Sequence, residues 1–428
     1  MILLLACADP PPPPPVDVPP TLVLVSLDTT RFDAIGPETT PRIWALAEAG
    51  ARFEAAFTHA PTTLSSHSSV WTGRDPHGHR VPRNGYALPT DLPTLPERLA
   101  AGGWDTLGVI GASALARPMG LDRGFAAWDE TLGRAHKKRH EAIAGEVTGR
   151  ARMVLAAHTT KKRFLFVHYY DAHAPWVAPE PYGSKWVDPA WKTDFDGTPT
   201  SMSALGARLR SGEATPDDLA AARARYHGEL SYIDHELGVL LDTLDHPTVV
   251  IFGDHGEAIG DVPGRPLGHG PDVDIVAIHV PLIVSGPGVP PTVVSETVAL
   301  SDIGSTVLGL AGVPGPLGDG RDLSPLWTGG TLARRAVMTE ATQPRASEAK
   351  DRWNNLPMER GVMEGGWYLL RENETTVTDW RTGGPAPTET AREMGAALDA
   401  WDAAAPAWRA EEADDATMEG LKALGYAD

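Results

Sequence analysis

The 428-residue chain has a single cysteine, Cys7. That excludes an intramolecular disulfide and a cysteine-built zinc site. Positive charge is also scarce: 37 Lys and Arg stand against 56 Asp and Glu, a formal net charge of −19. A nucleic-acid partner is not expected, because a phosphate backbone needs clustered cations. The short basic runs Lys137–Arg139 and Lys161–Arg163 read as solvated faces. An anionic substrate stays open, since a bound divalent cation inverts the local field. No stretch is apolar for long enough to span a bilayer. What is present is an ordinary 42% apolar content and a length suited to one large α/β domain plus a smaller one.

The first twenty residues differ from the rest. Leu4-Leu5-Ala6-Cys7 looks like a bacterial lipoprotein cleavage box, and Pro10–Pro15 with Pro19-Pro20 would form a stiff tether. The apolar part has no Lys or Arg and is shorter than an ordinary leader, so a start further upstream and an accidental likeness are both alternatives. Composition points to export, as a periplasmic or cell-surface lipoprotein touching the membrane only through Cys7.

Short apolar runs ending in polar residues recur along residues 21–330. Thr21–Leu27 ends at Asp28, Phe164–Tyr170 at Asp171 and His173, and Val249–Phe252 at Asp254-His255. Thr106–Ile110 and Pro281–Val284 read as further strands. Helices are expected after Thr40-Pro41, over Pro93–Ala101, and over Pro216–Leu244, where Leu230, Ile233, Leu237, Leu240 and Leu244 share a face. This alternation predicts a doubly wound, mostly parallel sheet with helices on both faces. Ligands in such sheets bind beyond the carboxyl ends of the strands, where Asp28, His173, Asp254 and His255 all fall. Residues 331–428 change character, with short mixed segments and an Ala- and Glu-rich stretch from Met394 to Trp408, and read as a smaller C-terminal α+β subdomain.

The segment Pro61-Thr62-Thr63-Leu64-Ser65-Ser66-His67, followed by Thr72-Gly73-Arg74, resembles the nucleophile segment of the alkaline phosphatase superfamily. The sulfatase branch has C-x-P-S-R-x-x-x-x-T-G-R there, and a phosphodiesterase-like branch has T-x-P-S/N-H. This chain follows the threonine pattern, with Ser65 in place of the usual proline. Ser26–Arg31, Thr40-Pro41 through Phe53, Asp171–Pro175, Gly253–Glu257, His269-Gly270, Val280–Ile283, Asp302-Ile303 and Gly320–Leu323 also match sulfatase landmarks, in order.

The resemblance implies that Asp28, Asp254 and His255 bind one divalent metal, with the Thr63 hydroxyl completing its shell. A threonine hydroxyl is a poor nucleophile at neutral pH, and metal coordination favours its alkoxide. The donor set suits Zn, Mn, Ca or Mg. Thr29 stands where sulfatases often carry a second aspartate, which favours Zn or Mn. The resemblance further implies that His173 meets the transferred group or protonates the leaving oxygen, with His269 a second acid or oxyanion contact. His79 and Arg74 are expected to brace the nucleophile turn in catalysis, and Ser66 and His67 to meet the substrate. Taken singly, each of these residues is about as readily a strand-end carboxylate or a satisfied loop histidine; together they argue for a site.

Sulfatases oxidise cysteine or serine to formylglycine, whose second hydroxyl expels sulfate. Thr63 has one hydroxyl and no such exit, whereas a phospho-threonine can be hydrolysed by in-line attack. The expected function is metal-dependent cleavage of a phosphate mono- or diester, or a phosphonate ester, on a small molecule, lipid headgroup or glycan. The alternatives are a sulfatase working without formylglycine and a catalytically silent anion- or glycan-binding protein.

Overall fold

A computed structural model describes residues 21–132, 140–159, 162–262, 267–342, 359–371 and 375–405. The expected leader, tether and Lys137–Arg139 run lie outside these residues. In chain order the strands are β1 (Thr21–Leu27), β2 (Ala51–Phe53), β3 (Ala56–Phe57), β4 (Asp105–Val109), β5 (Ala127–Asp129), β6 (Arg163–Tyr169), β7 (Thr248–Gly253), β8 (Leu282–Ser285), β9 (Thr292–Val294), β10 (Val298–Ala299), β11 (Val337–Ala341), β12 (Glu359–Glu364), β13 (Trp367–Arg371) and β14 (Thr375–Asp379). The helices are α1 (Pro41–Ala49), α2 (Thr63–Thr72), α3 (Pro76–His79), α4 (Leu95–Ala101), α5 (Ala144–Ala157), α6 (Pro199–Ser211), α7 (Pro216–Leu241), α8 (Ile275–Ile278), α9 (Ser301–Leu310), α10 (Ser324–Trp327) and α11 (Thr388–Ala403).

The main sheet runs β5-β4-β6-β1-β7-β8-β2-β9. From β5 to β7 all neighbours are parallel, while β8 is antiparallel to both β7 and β2. The strand expected at Pro281–Val284 is therefore present but reversed. Its apolar run reports burial on both faces and carries no information on direction.

Strand alternation assigns each face its helices. Leu22 and Leu24 of β1, Phe164 and Phe166 of β6, and Val250 and Phe252 of β7 pack with Leu64 and Trp71 of α2, Leu99 of α4 and Val307 of α9. The alternate residues Val23, Val25, Leu165, Val167 and Ile251 pack with Ile43 of α1, Val147 of α5 and Leu230, Ile233 and Leu237 of α7. Each such side chain contributes about 1.5–3 kcal/mol when fully buried, so the two-sided core holds the sheet rigid beneath its carboxyl edge. α7 is started by Pro216 and a capping box between Thr215 and Asp218. It ends at Leu241, so Leu244 falls just past the helix, partly buried against the same core.

At the C-terminal end, β11 to β14 form an antiparallel sheet. α11 covers one face through Met394 and Leu398 on Val362 and Leu369. The other face, with Val337, Met363 and Tyr368, shares a cluster with Phe57, Val273, Ile278 and Ala299 of the larger body. Among the described residues no helix is long and apolar enough to cross a membrane.

Candidate active site

β1 lies between β6 and β7, and Leu27 pairs with both Tyr169 and Gly253. The residues that follow, Asp28 on one strand and Asp254-His255 on the other, therefore leave the sheet side by side. Ligand atoms of Asp28, Asp254 and His255 lie within 4.8 Å of one another, and all three residues are buried. Thr63 opens α2, and its Oγ1 is 3.4 Å from Nε2 of His255.

Each donor is aimed by its neighbours. Oδ1 of Asp254 accepts from the backbone N–H of Thr29 at 3.0 Å and of His255 at 2.8 Å. Its Oδ2 is buried without a hydrogen-bond partner. His255 donates Nδ1–H to the Gly256 carbonyl at 3.0 Å, which leaves the Nε2 lone pair pointing inward, 3.5 Å from that same Oδ2. Oδ2 of Asp28 is held by His168 at 3.0 Å, and its Oδ1 is likewise buried and unpartnered. Two bare carboxylate oxygens facing an imidazole lone pair repel one another unless a cation or proton sits between them.

Ionisation follows that geometry. Burial pushes the Asp28 carboxyl up to about 7, against the pull of His255. Burial and the Asp28 charge also raise Asp254. Burial works to lower His255, but Asp254 and Asp28 outweigh it and move its pKa up. The donor chemistry, two carboxylate oxygens and an imidazole nitrogen with a hydroxyl alongside, fits a divalent cation.

Thr29 has φ +48°, an outlying conformation for a β-branched residue. The cost, about 1–3 kcal/mol, is sustained by the surrounding bonds. Tyr226 donates to the Thr29 carbonyl at 2.8 Å while the Thr29 N–H reaches Asp254. Sequence reasoning saw at this position only a missing carboxylate.

α2 is serine-rich yet wholly buried. Its hydroxyls are satisfied internally: Ser68 donates to the Leu64 carbonyl, Thr72 to that of Ser68, and Ser65 to that of Val81. The helix ends at Gly73 with φ +67°, and a Cβ there would lie 1.9 Å from the Leu317 carbonyl oxygen. That close approach explains the glycine of Thr72-Gly73-Arg74.

Four further expected residues take these places in the structure. Ser66 donates to the Asp254 carbonyl at 2.7 Å and is met by Thr58 at 3.1 Å, so it ties α2 to the end of β7 rather than greeting a substrate. His67 is fully buried, with Nδ1 on the Thr63 carbonyl at 2.7 Å and Nε2 on Ser26 at 2.8 Å. Both nitrogens are occupied by protein, which makes His67 a positioning residue. His79 pairs with Ser69 at 3.1 Å and accepts the Val81 N–H at 3.0 Å, bracing the middle of α2. Arg74 lies past the far end of α2, beside Asp319 at 3.4 Å. Ten helical residues span about 15 Å, which removes it from the Thr63 hydroxyl.

His173 and His269 do come together. Their rings are 5.1 Å apart, and His269 lies 4.3 Å from His255. His173 stacks on Tyr170 at 4.5 Å and commits Nδ1–H to the Ala174 carbonyl at 2.8 Å. Sequence reasoning named neither His168 nor Glu257 as a site residue. Glu257 is buried, with Oε2 3.3 Å from Nδ1 of His269, and burial raises its carboxyl to about 8 against the pull of His255 and Arg31. It sits inside the quoted Gly253–Glu257 motif. His168 could have been found from alternation, since Phe164, Phe166 and His168 share a face with Ser26, directly under α2.

Residues 20–313 match the family model described as Sulfatase. The chain belongs to the sulfatase family. Sulfatase-family members bind a divalent metal, in keeping with the donor cluster, and this chain is a hydrolase of sulfuric or phosphoric esters. It is 22% identical over 386 residues to a choline-sulfatase of Rhizobium meliloti, the match covering 77% of this chain and 73% of that one. The phosphonate monoester hydrolase of Agrobacterium radiobacter superposes with a TM-score of 0.69 at 21% identity, covering 90% and 95% of the two chains. That of Silicibacter pomeroyi gives a TM-score of 0.66 at 20% identity, with 89% and 94% covered. The doubly wound sulfatase-like architecture expected from the sequence is the one observed.

Proposed function

We propose that this sulfatase-family enzyme cleaves a phosphate or phosphonate ester through Thr63, whose hydroxyl lies 3.4 Å from Nε2 of His255 at the mouth of the donor cluster. That placement carries the reading. The residue at the nucleophile position has one hydroxyl, so a route that expels sulfate from a second hydroxyl on the same carbon is closed to it. Asp28, Asp254 and His255 would hold the divalent ion, which when bound lowers the cost of the Thr63 alkoxide and neutralises charge on the ester oxygens.

The chain's own residues supply the remaining chemistry. The Thr63 hydroxyl gives its proton to solvent, which recharges the donating histidine, and its oxygen attacks phosphorus, forming an O–P bond as the bond from phosphorus to the leaving oxygen breaks. A proton held at His173 or His269 goes to that oxygen. Water then attacks phosphorus from the opposite side, breaks the Thr63 O–P bond and returns a proton to the Thr63 oxygen. His67 keeps the first turn of α2 in place, and the Glu257 carboxyl orients His269.

A sulfate ester is the second reading, favoured by the choline-sulfatase relative. Purified protein assayed on nitrophenyl phosphate, bis-nitrophenyl phosphate, a phosphonate ester and nitrophenyl sulfate, beside Thr63→Ala, separates the two. Phosphoester turnover lost by about 10³-fold or more in the variant is the expected result. Turnover of the sulfate alone would overturn the preference. Phosphoester turnover that survives in Thr63→Ala would remove Thr63 as nucleophile.

A further inference from the structure

Next to His173 a cavity of about 360 Å³ opens between the end of β6 and the starts of α5 and α6. Its walls are mostly apolar, among them Ile143, Val177 and Tyr170, and four acids, Glu141, Glu146, Asp171 and Glu229, intrude on them. None of its lining residues is Lys or Arg. Oδ2 of Asp171 and Oε2 of Glu146 are buried without a hydrogen-bond partner. Glu229, on α7, is 3% exposed.

Helix ends meet this charge only at one oxygen of Asp171. The first N–H of α5, on Ala144, is taken by Oδ1 of Asp171 at 2.8 Å, and α6 is capped by the Thr198 side chain on the Ser201 N–H. Burial raises Asp171 to about 7, and burial together with Asp171 raises Glu229 well above the carboxylate range. Acids clustered in an apolar hollow are stabilised by a cation whose own shell is greasy, because such a cation gives up little hydration on entry.

We propose that this cavity is the leaving-group subsite and that it takes an alkylammonium group, so that the substrate is an ester of an amino or quaternary ammonium alcohol. The inference rests on the ester-hydrolase reading of the Thr63 centre, and His173 joins the two by lining the cavity and neighbouring His269.

The test compares choline esters, phosphate and sulfate, with the esters of 3,3-dimethylbutanol, the uncharged isostere. Tetramethylammonium binding is measured in parallel by calorimetry on wild type, Asp171→Asn and Glu229→Gln. In wild type, kcat/KM for the choline ester should exceed that for the isostere by about 10-fold or more, and the ratio should fall toward one in each variant. Tetramethylammonium should bind wild type and bind both variants more weakly. A wild-type ratio near one, with both esters turned over, overturns the cation subsite and leaves the hydrolase reading standing. Turnover of no ester, with tetramethylammonium still bound in an acid-dependent way, keeps the subsite and overturns the hydrolase reading. Absence of tetramethylammonium binding to wild type overturns the subsite whatever the variants do. A lipid headgroup offers the same ammonium, and lysophosphatidylcholine micelles assayed beside free phosphocholine show which source the cavity admits.

Discussion

His168 donates Nε2–H to Oδ2 of Asp28 at 3.0 Å, and the Gly111 N–H on its Nδ1 at 3.4 Å fixes that tautomer. Burial moves the His168 pKa down to about 4, so the ring bonds as a neutral donor. Asp28 is thereby held with Oδ1 toward Asp254 and His255. Replacing His168 by Phe should weaken divalent-ion affinity about 10- to 100-fold, the usual cost of losing a partner behind a ligand. Titration of metal-free protein with Zn or Mn measures this, and His168→Gln, which keeps a donor, should recover part of it. Unchanged affinity in His168→Phe would mean that Asp28 needs no such support.

His67 stands in the same relation to the nucleophile. A carbonyl can only accept, so its Nδ1 carries the proton and its Nε2 accepts from Ser26. His67→Ala leaves the Thr63 carbonyl and the Ser26 hydroxyl without their partner in a sealed core. Urea unfolding should show a loss of about 2–4 kcal/mol, combining a cavity with unmet hydrogen bonds. A loss below about 0.5 kcal/mol would show that water or repacking replaces the ring.

The contrast between these two histidines explains how much was legible beforehand. His67 lies four residues from Thr63 inside a recognisable segment, so its presence near the site was readable while its partners were not. His168 has no motif around it and is visible only through alternation along β6. The ligands Asp28, Asp254 and His255 were readable because strand ends in a doubly wound sheet fall at one edge. The strand β8 was readable but its reversed direction was not, because a doubly buried run carries no direction, and the strands β2, β3, β9 and β10 were missed because two or three residues carry too little periodicity. Ser66 was misread for a different reason: a hydroxyl near a helix start looks like a ligand donor until the carbonyl it meets is known.

Buried histidines also set the response to acid. Burial lowers His67 and His79 to about 3, and His168, His227 and His279 to about 4. At these histidines the folded chain binds fewer protons than the unfolded chain, whose histidines titrate near 6.5, whereas at Asp28 and Asp171, raised to about 7, and Glu257, raised to about 8, it binds more. The histidine contribution to stability is full above that pH and is lost as pH falls from about 6.5 toward 4, by up to about 1.4 kcal/mol per pH unit for each such histidine, while the raised carboxyls lose theirs as pH rises through about 7 to 8. Calorimetric scans between pH 4 and 8 read the balance of the two sets, and His79→Gln should remove about one proton from the histidine side of it. His79 is the useful probe because it lies away from the metal cluster. A slope unaffected by His79→Gln would show that its ring is already charged in the folded state.

Trp401 of α11 lies flat on His77 at 3.5 Å and donates to Asp75 at 2.7 Å, joining the C-terminal helix to α3, just beyond the end of the nucleophile helix. Trp401→Ala removes a stacked ring and a charge-assisted hydrogen bond together. A destabilisation of about 2–4 kcal/mol is expected, with protease cleavage appearing first around α11. Should cleavage start elsewhere at the same Trp401→Ala stability, the contact would not be what holds α11 down.

The last prediction concerns opposite signs in one variant. Asp254 uses Oδ1 to hold the N–H groups of Thr29 and His255, and leaves Oδ2 bare, 3.5 Å from Nε2 of His255. In Asp254→Asn the amide oxygen can keep both backbone bonds, while the NH2 donates to the His255 lone pair. The variant thus removes one of two mutually repelling buried carboxylates and satisfies an acceptor. Without metal it should be more stable than wild type by about 1–3 kcal/mol at pH 8, where Asp28, raised to about 7, is charged beside it. With metal the order should invert, because an amide nitrogen offers the ion no lone pair and the wild type alone gains binding energy. Thermal melts of both proteins with and without EDTA and with added Zn or Mn decide the matter. A variant less stable than wild type under both conditions would mean that the bare Oδ2 is satisfied by something other than a cation.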